Sequence, residues 1–194
     1  GKVSDDDEGD LKLGGAFDKI NGSVRVDFGK PVAWLGLPPD QAIQLGKLLF
    51  HEPRLSKSGA LSCNSCHNLA SYGVDNRSTS LGHGFKPGER NSPTVLNASL
   101  HLSQFWDGRA ADLETQAQAP ILNPAEMAMG GEADVLKRLQ SIPEYRQAFD
   151  AAFPDGKDGI NYSNVARAIA AFERTLLTPS PFDKFLLGDS KALK

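Results

Sequence analysis

The sequence predicts a mainly α-helical domain with long loops and little or no sheet. Residues 163–177 carry apolar side chains at helical spacing and are followed by Pro179, which is typical of an amphipathic helix and its end. Alternation of the kind expected for a strand is confined to residues 23–27. Elsewhere, 12 prolines and 19 glycines divide the chain into short helical segments and loops.

The remaining helices follow in chain order. They are predicted at residues 39–50, 108–119, 132–141 and 144–153. Pro39 suits a first helical turn, where a missing N–H costs nothing. Pro53, Pro120 and Pro143 are expected to end or separate helices, because proline removes a backbone donor and clashes with the preceding turn. Residues 68–93, rich in Gly, Ser, Asn and charge, predict a long loop, and such loops in compact domains are usually functional or mobile.

A chain of 194 residues is long enough for one well-buried domain with an arm. We expect a partly mobile N-terminal arm over residues 1–30, the main domain over 31–187 and the start of a linker over 188–194. The acidic run at 5–8 is typical of a solvated tail. With a formal charge of -3 and no basic stripe, the sequence argues against a nucleic-acid partner. No stretch approaches the roughly 20 apolar residues of a membrane span.

Both cysteines fall in one five-residue segment, Cys63-Asn64-Ser65-Cys66-His67. Cys-x-x-Cys-His is the attachment signature of a c-type haem. Two thiols three positions apart on a helical turn reach the two vinyl groups of one porphyrin, and the histidine that follows lies beneath the iron. The sequence thus predicts one covalently bound haem c, held by Cys63 and Cys66 with His67 as the proximal iron ligand, in a cytochrome c-like domain.

Two other uses of a Cys-x-x-Cys pair fit this sequence less well. A structural zinc site needs four ligands, and the chain has no second cysteine pair. A thioredoxin-like redox pair needs a βαβ context, and the surrounding sequence shows no parallel-strand pattern. Covalent haem attachment implies maturation on the exported side of a bacterial inner membrane, so we expect a periplasmic protein.

The second axial position of the iron separates an electron carrier from a catalyst. The candidate ligands for it are His51, His83, His101, Met127 and Met129. Of these, His51 and His101 have the surroundings of ordinary surface or core histidines. His83 lies in the glycine-flanked tip Leu81-Gly82-His83-Gly84-Phe85, where unusual backbone angles and displacement are easy. On these residues alone, a histidine simply exposed on a loop is an equally good interpretation of His83.

Three residues after the loop are suited to redox or proton chemistry. Trp106 is a redox-capable aromatic beside a tight turn, and Gln116 and Glu126 are polar residues in largely Ala- and Pro-rich surroundings. Peroxide cleavage needs a group that takes a proton from one oxygen and returns it to the other. Glu126 is the natural candidate, because an apolar pocket would raise its pKa toward the working range. Taken singly, Trp106 is more typical of a core and Glu126 of a helix start.

Five stretches of the sequence occur together and in order. They are Cys63-Asn64-Ser65-Cys66-His67-Asn68-Leu69, Gly73-Val74-Asp75-Asn76, Arg90-Asn91-Ser92-Pro93-Thr94-Val95-Leu96-Asn97, Phe105-Trp106-Asp107-Gly108-Arg109 and Phe172-Glu173-Arg174-Thr175-Leu176. This set resembles the bacterial dihaem cytochrome c peroxidases, a family that includes the MauG-like proteins. The resemblance runs from about residue 39 to 187, and the joint set of motifs is highly specific. It implies that the chain is similar to the N-terminal, peroxidatic haem domain of a two-domain enzyme.

The resemblance implies a role for each matching position around the iron. His67 is similar to the proximal ligand. His83 looks like the distal histidine that blocks the iron at rest and swings away on activation; the MauG-like branch generally lacks it, so His83 favours the peroxidase branch. Glu126 resembles the acid–base residue of peroxide cleavage, with Gln116 lining the same pocket.

Two further positions of the resemblance concern a neighbouring domain. Trp106 resembles the tryptophan between the two haems, on the electron route. Asn91 looks like the side-chain contributor to an inter-domain calcium site. A second Cys-x-x-Cys-His is missing from this chain, so we expect a fragment or excised domain of a longer enzyme rather than a natural one-haem protein.

The expected function is reduction of hydrogen peroxide to water. Its electrons would come from a small cytochrome c or cupredoxin, through a second haem domain that this chain does not contain, so the isolated domain is expected to be poorly active. The alternative is a one-haem electron-transfer cytochrome or haem-based sensor in which His83 stays bound opposite His67. The two functions differ in whether His83 leaves the iron.

Overall fold

The computed structural model describes residues 17–20, 23–26, 39–154, 159–186 and 188–193. Its two strands and seven α-helices are β1 Phe17–Ile20, β2 Ser23–Val26, α1 Pro39–Phe50, α2 Cys63–Cys66, α3 Leu113–Leu122, α4 Glu132–Gln140, α5 Pro143–Ala152, α6 Tyr162–Glu173 and α7 Pro181–Leu186. Between α2 and α3 the chain is irregular apart from short 3₁₀ turns. The mainly α prediction is confirmed. The predicted acidic tail at 5–8 lies outside the described residues.

Helices α1 and α6 form the centre of the domain, with α3 packed on α6 and α5 on α1. The two central helices approach so closely that a β-carbon added at Gly46 would overlap the backbone carbonyl of Ala168. Glycine is therefore the residue that this crossing requires. The fully buried apolar side chains of the core include Leu45, Leu49, Phe50, Leu55, Ile121, Val135, Leu139, Phe149, Val165 and Ile169. The core thus lies along one face of each helix. The irregular segment between α2 and α3 packs beside this core.

Helix α1 spans its predicted residues, whereas α6 ends earlier than predicted. The pattern predicted a helix to residue 177, and the structure ends it at Glu173. The chain beyond turns away to bind Asn97, whose backbone N–H donates to the carbonyl of Leu176 at 2.8 Å. The side chain of Asn97 also donates to the Thr178 hydroxyl at 2.7 Å and accepts from the Thr178 N–H at 2.8 Å. These tertiary bonds outweigh the helical spacing of Leu176.

Helix α3 begins later and ends later than predicted. The Asp112 carboxylate accepts a hydrogen bond of 2.7 Å from the Thr115 N–H and so caps the helix start, which places residues 108–111 outside it. Pro120 lies inside the last turn and does not stop the helix. A proline this close to the end removes one backbone bond, and the helix continues for two more residues.

The remaining differences lie at prolines and at the chain ends. Pro143 is the first residue of α5 and not a separator before it, as suits a ring that needs no donor. Strand β2 lies within the predicted stretch 23–27 and pairs antiparallel with β1, which was not predicted. Helix α7 was not predicted either. Among the residues described, none of the helices is both long and apolar enough to cross a membrane.

Candidate haem site

A cavity of about 540 Å³ separates the helical core from the irregular segment between α2 and α3. Its volume lies within the roughly 300–1,000 Å³ typical of cofactor pockets. Its wall brings together most of the residues predicted from the sequence: Cys63, Cys66, His67, Asn91, Trp106, Gln116 and Glu126. His83 is the one predicted site residue that does not line it.

The attachment segment forms α2 on one wall of this cavity. Ser62 caps the start of this helix, and its backbone N–H donates to the hydroxyl of Ser65 at 2.9 Å. His67 follows the helix and its Nδ1 lies 3.0 Å from the carbonyl oxygen of Pro93. A carbonyl can only accept, so Nδ1 carries the proton and Nε2 is left as the nitrogen able to bind a metal. Burial lowers the pKa of His67, which keeps the ring neutral as a ligand must be.

The two thiols are electrostatically unlike those of a redox dithiol. Burial raises the pKa of Cys63 to about 12, and the nearby charge of Glu173 adds to the effect. Burial also raises the pKa of Cys66. Reactive Cys-x-x-Cys pairs have a lowered thiol pKa, so this environment is inconsistent with a thioredoxin-like centre. Within the described ranges, no three His, Cys, Asp or Glu side chains converge as a metal site would require.

Glu126 lies on the loop that follows α3. The Nδ2 of Asn123 donates to its Oε1 at 2.7 Å. Burial raises the pKa of Glu126, against the lowering effects of that hydrogen bond and of the charge of Arg109. Gln116, half-buried on α3, lines the same cavity. The cavity therefore contains a half-buried carboxyl group that is held by a hydrogen bond.

His83 lies beside Glu126, although outside the cavity wall. Its backbone N–H donates to the carbonyl oxygen of Glu126 at 2.8 Å. The preceding Gly82 is packed so tightly that a β-carbon there would overlap the carbonyl of Ala125. Gly84 after it has a φ of 69°, in the left-handed region. The two flanking glycines thus have different roles. Gly84 has the unusual backbone angle that was expected, whereas Gly82 is packed against the Ala125 backbone.

The Nδ1 atom of His83 is buried and has no hydrogen-bond partner in the described part of the chain. The other axial candidates differ in position. His51 and His101 are exposed, and Met129 is part of the hydrophobic core. Met127 is buried and lines the cavity.

Trp106 connects the cavity to the surface. It lines the cavity, yet 64% of its surface is exposed, so the alternative interpretation of Trp106 as an ordinary core residue does not apply. Its Nε1 donates to the carbonyl oxygen of Asn91 at 2.8 Å. The side chain of Asn91 in turn donates from Nδ2 to the carbonyl oxygen of Arg77 at 2.7 Å.

Two features of the cavity wall were missed by the sequence interpretation. Arg90 and Arg109 lie on the wall, and both donate to Asp107, at 2.8 and 2.9 Å. These two hydrogen bonds hold the pKa of Asp107 at about 2. Glu173 is a buried carboxyl on the wall formed by α6. A charged residue beside the apolar positions of that helix was the available signal for Glu173.

The residues present fit a covalently attached haem. Both thiols and the ligand-ready Nε2 of His67 lie on one wall of a cavity of suitable size. The two guanidinium groups on the wall suit a cofactor that carries carboxylates. Such a group would be bound by Cys63 and Cys66 as thioethers and by His67 through iron.

Comparisons with known proteins identify relatives of the same kind. Residues 40–191 match the family model described as di-haem cytochrome c peroxidase. The cytochrome c551 peroxidase of Pseudomonas aeruginosa is 51% identical over 91% of this chain and 49% of its own length, and that of Nitrosomonas europaea is 54% identical over 77% and 44%. The cytochrome c peroxidase Ccp of Escherichia coli is 42% identical over 100% and 43%. The chain spans about half the length of these relatives.

A solved structure agrees with the sequence comparisons. A MauG-like protein associated with microbial copper homeostasis superposes with a TM-score of 0.71 at 32% identity, over 77% of this chain and 45% of the other. Membership of the family implies a haem c cofactor. The chain belongs to the di-haem cytochrome c peroxidase family.

Proposed function

We propose that this chain is the peroxidatic haem domain of a cytochrome c peroxidase. Its reaction is the reduction of hydrogen peroxide, in which one peroxide, two electrons and two protons give two water molecules. The carrying observation is that one cavity joins the attachment wall of Cys63, Cys66 and His67 to the carboxyl group of Glu126. The names of the relatives support the same reaction.

In this proposal the chain binds one haem c, over the domain at residues 31–187. Cys63 and Cys66 hold it covalently and His67 ligates the iron. When bound, the haem would supply a metal that binds peroxide and changes oxidation state. The chain's own residues bind, orient and move protons around it. We also propose a periplasmic location, because c-type haem is attached on the exported side of the membrane.

Glu126 is our proposed acid–base residue. It would take the proton from one peroxide oxygen and return it to the leaving oxygen. Its bond from Asn123 fixes the carboxyl in place, and its half-buried position limits exchange with bulk water. Gln116, on the same wall, would orient the peroxide by hydrogen bonds.

His83 is our proposed gate. The proposal is supported by the buried Nδ1 of His83, which has no partner among the described residues, and by the backbone bond that joins His83 to Glu126 of the cavity wall. By binding the iron opposite His67 it would exclude peroxide, and by leaving it would admit peroxide next to Glu126.

Electrons would enter through a second haem domain from a small cytochrome c or cupredoxin. Trp106 supports this route, since it reaches from the cavity wall to the exposed surface. We further propose that Asn91 contributes its amide oxygen to a calcium ion between the domains, a role supported by its exposed position and its contact with Trp106. Calcium analysis of the haem-loaded protein checks this. Treatment with EGTA should remove bound calcium from the wild type, whereas an Asn91→Ala variant should have no bound calcium to lose.

The second candidate function is a one-haem electron carrier or sensor. The partnerless nitrogen of His83 favours it, because permanent ligation would satisfy that atom. The two functions predict different reactions with peroxide. In stopped-flow mixing with hydrogen peroxide, a chemically reduced peroxidatic domain should be oxidised rapidly, with two electrons consumed per peroxide. An electron carrier in which His83 stays bound should react slowly, and that result would contradict the peroxidase proposal.

A further inference from the structure

Glu173 is a buried carboxyl for which the proposed peroxidase chemistry has no use. It is the last residue of α6, is 5% exposed and lines the cavity. Its Oε2 is buried and, among the residues described, has no hydrogen-bond partner. Buried polar atoms are nearly always paired, so an unpaired carboxyl oxygen on a residue that lines a ligand cavity points to a role toward that ligand.

The position of Glu173 differs from that of Glu126. The charge of Glu173 acts on the thiol of Cys63, whereas that of Glu126 acts on Cys66. Glu173 therefore lies near Cys63, on the α6 side of the cavity. Glu126 belongs to the loop after α3.

The charged groups around Glu173 come from each neighbouring element. Arg174 directly follows Glu173 in the sequence and donates two hydrogen bonds, of 2.8 and 2.9 Å, to Glu114 of α3. At the end of α1, the exposed His51 packs against the ring of Phe172. Its Nδ1–H donates a 2.9 Å hydrogen bond to the carbonyl oxygen of Lys47, whose side chain is also exposed. Helix α4 places Glu132 near Tyr162, at the opposite end of α6.

In these surroundings, the protonation state of Glu173 depends on the charge of the group that the cavity holds. Burial raises the pKa of Glu173 to about 8, Arg174 lowers it and Glu114 raises it. An ionised carboxylate here is costly in the absence of a positive charge in the cavity. A ferric haem carries one more positive charge than a ferrous haem, so iron oxidation favours the carboxylate and iron reduction favours the acid.

We propose that Glu173 is a redox-linked proton site, whose carboxyl takes up one proton when the iron of a haem held in this cavity is reduced and releases it when the iron is oxidised. This inference rests on the haem occupancy of the proposed function. The balance is ferric haem, carboxylate, one electron from the reductant and one proton from solvent, giving ferrous haem and carboxylic acid. The site would store a proton alongside an electron in a reaction that consumes both.

Spectroelectrochemical titration of the haem-loaded chain across a series of pH values tests the proposal. The wild-type potential should fall as pH rises through the neutral to mildly alkaline range, and Glu173→Gln should lose a large part of that fall. Glu173→Asp should keep it, since it retains a carboxyl. Glu144→Gln, which removes an exposed carboxylate on α5, is the matched control and should follow the wild type. Coincident wild-type and Glu173→Gln curves would overturn the inference.

A second measurement covers failure of the Glu173→Gln variant to load haem. This measurement uses a Glu126→Gln variant labelled with ¹³C-glutamate. Of the two glutamates that then remain on the cavity wall, Glu89 is exposed and Glu173 is buried. The reduced-minus-oxidised infrared difference spectrum should contain a ¹³C-shifted band of a protonated carboxyl, and absence of that band would reject the site. Neither measurement uses peroxide. A haem-loaded chain that lacks the linkage rejects only this inference, whereas failure to react with peroxide rejects only the proposed function.

Discussion

The backbone N–H of His83 donates a 2.8 Å hydrogen bond to the carbonyl oxygen of Glu126. This bond joins the loop after α2 to the loop after α3, and so places the proposed gate next to the proposed proton carrier. Movement of the His83 loop away from this position would break or strain the bond. The pairing means that access to the iron and proton transfer can be controlled together.

The gate predicts a specific spectrum for the haem-loaded chain. With His83 bound opposite His67, the ferric protein should be low-spin with two histidine ligands. Replacement of His83 by Gly should convert it to a high-spin form and speed its reaction with peroxide, because the sixth position is then open. His101→Gly, at an exposed histidine, is the control and should change neither. A high-spin wild-type ferric spectrum at neutral pH would remove His83 as the resting ligand.

The proposed proton carrier predicts a loss of rate without a loss of cofactor. Glu126→Gln keeps the shape and the Asn123 contact but cannot exchange a proton, so peroxide cleavage should slow by about 10²–10⁴-fold. Haem content, read from the absorbance spectrum, should be unchanged. Glu89→Gln alters an exposed carboxylate on the same wall and should retain the wild-type rate. Wild-type rates in Glu126→Gln would retire its acid–base role.

The tight packing of Gly82 predicts a cost for any side chain there. Gly82→Ala would force its loop away from the Ala125 carbonyl and lower the free energy of unfolding by about 1–3 kcal/mol. Gly88→Ala lies in the same loop, where an added β-carbon meets only ordinary contacts at 3.5 Å, and should have little effect. Denaturant unfolding of the two haem-loaded variants measures the difference. Equal free energies of unfolding for the two variants would contradict this prediction, since they would mean that the loop moves away from the Ala125 carbonyl at no cost.

A polar network next to the core predicts acid sensitivity. Burial tends to raise the pKa of Glu52, but hydrogen bonds from Arg54 and from the Tyr145 hydroxyl, the latter of 2.7 Å, hold it below its ordinary value of 4.5. The folded state therefore favours the carboxylate. The resulting stabilisation is present above about pH 4.5 and is lost as pH falls through the lowered pKa.

The measurement for this network is the free energy of unfolding against pH. Wild type should exceed Glu52→Gln by about 1.5–3 kcal/mol near neutral pH, the range for hydrogen bonds to a charged group. The difference should shrink below pH 4.5. Glu144→Gln, at an exposed site, should show no such trend. A pH-independent difference would assign the effect to packing alone.

Much of the fold could be predicted because its signals are local. Helix α1 has a proline at its start, a repeating apolar face and a proline after its end. The limits predicted for it agree with those in the structure. The end of α6 could not be predicted in this way, because bonds from the distant Asn97 determine it.

The candidate site shows the same division. The Cys63–Cys66 segment and His67 are a contiguous motif, so their chemistry could be predicted from the sequence. The contact of His83 with Glu126 depends on how two separate loops pack, and a single sequence carries no signal for it. Glu173 had a signal, as a charged residue beside the apolar positions of its helix, but the helical pattern alone does not identify the wall of a cavity.

The proposed function requires above all one haem covalently held by Cys63 and Cys66. The direct measurement is the intact mass of the denatured protein after expression with c-type haem maturation. We expect a chain heavier than the polypeptide by one haem, with that addition lost when both cysteines are replaced by alanine. A chain that has the mass of the polypeptide alone would contradict covalent haem attachment and the function proposed for it.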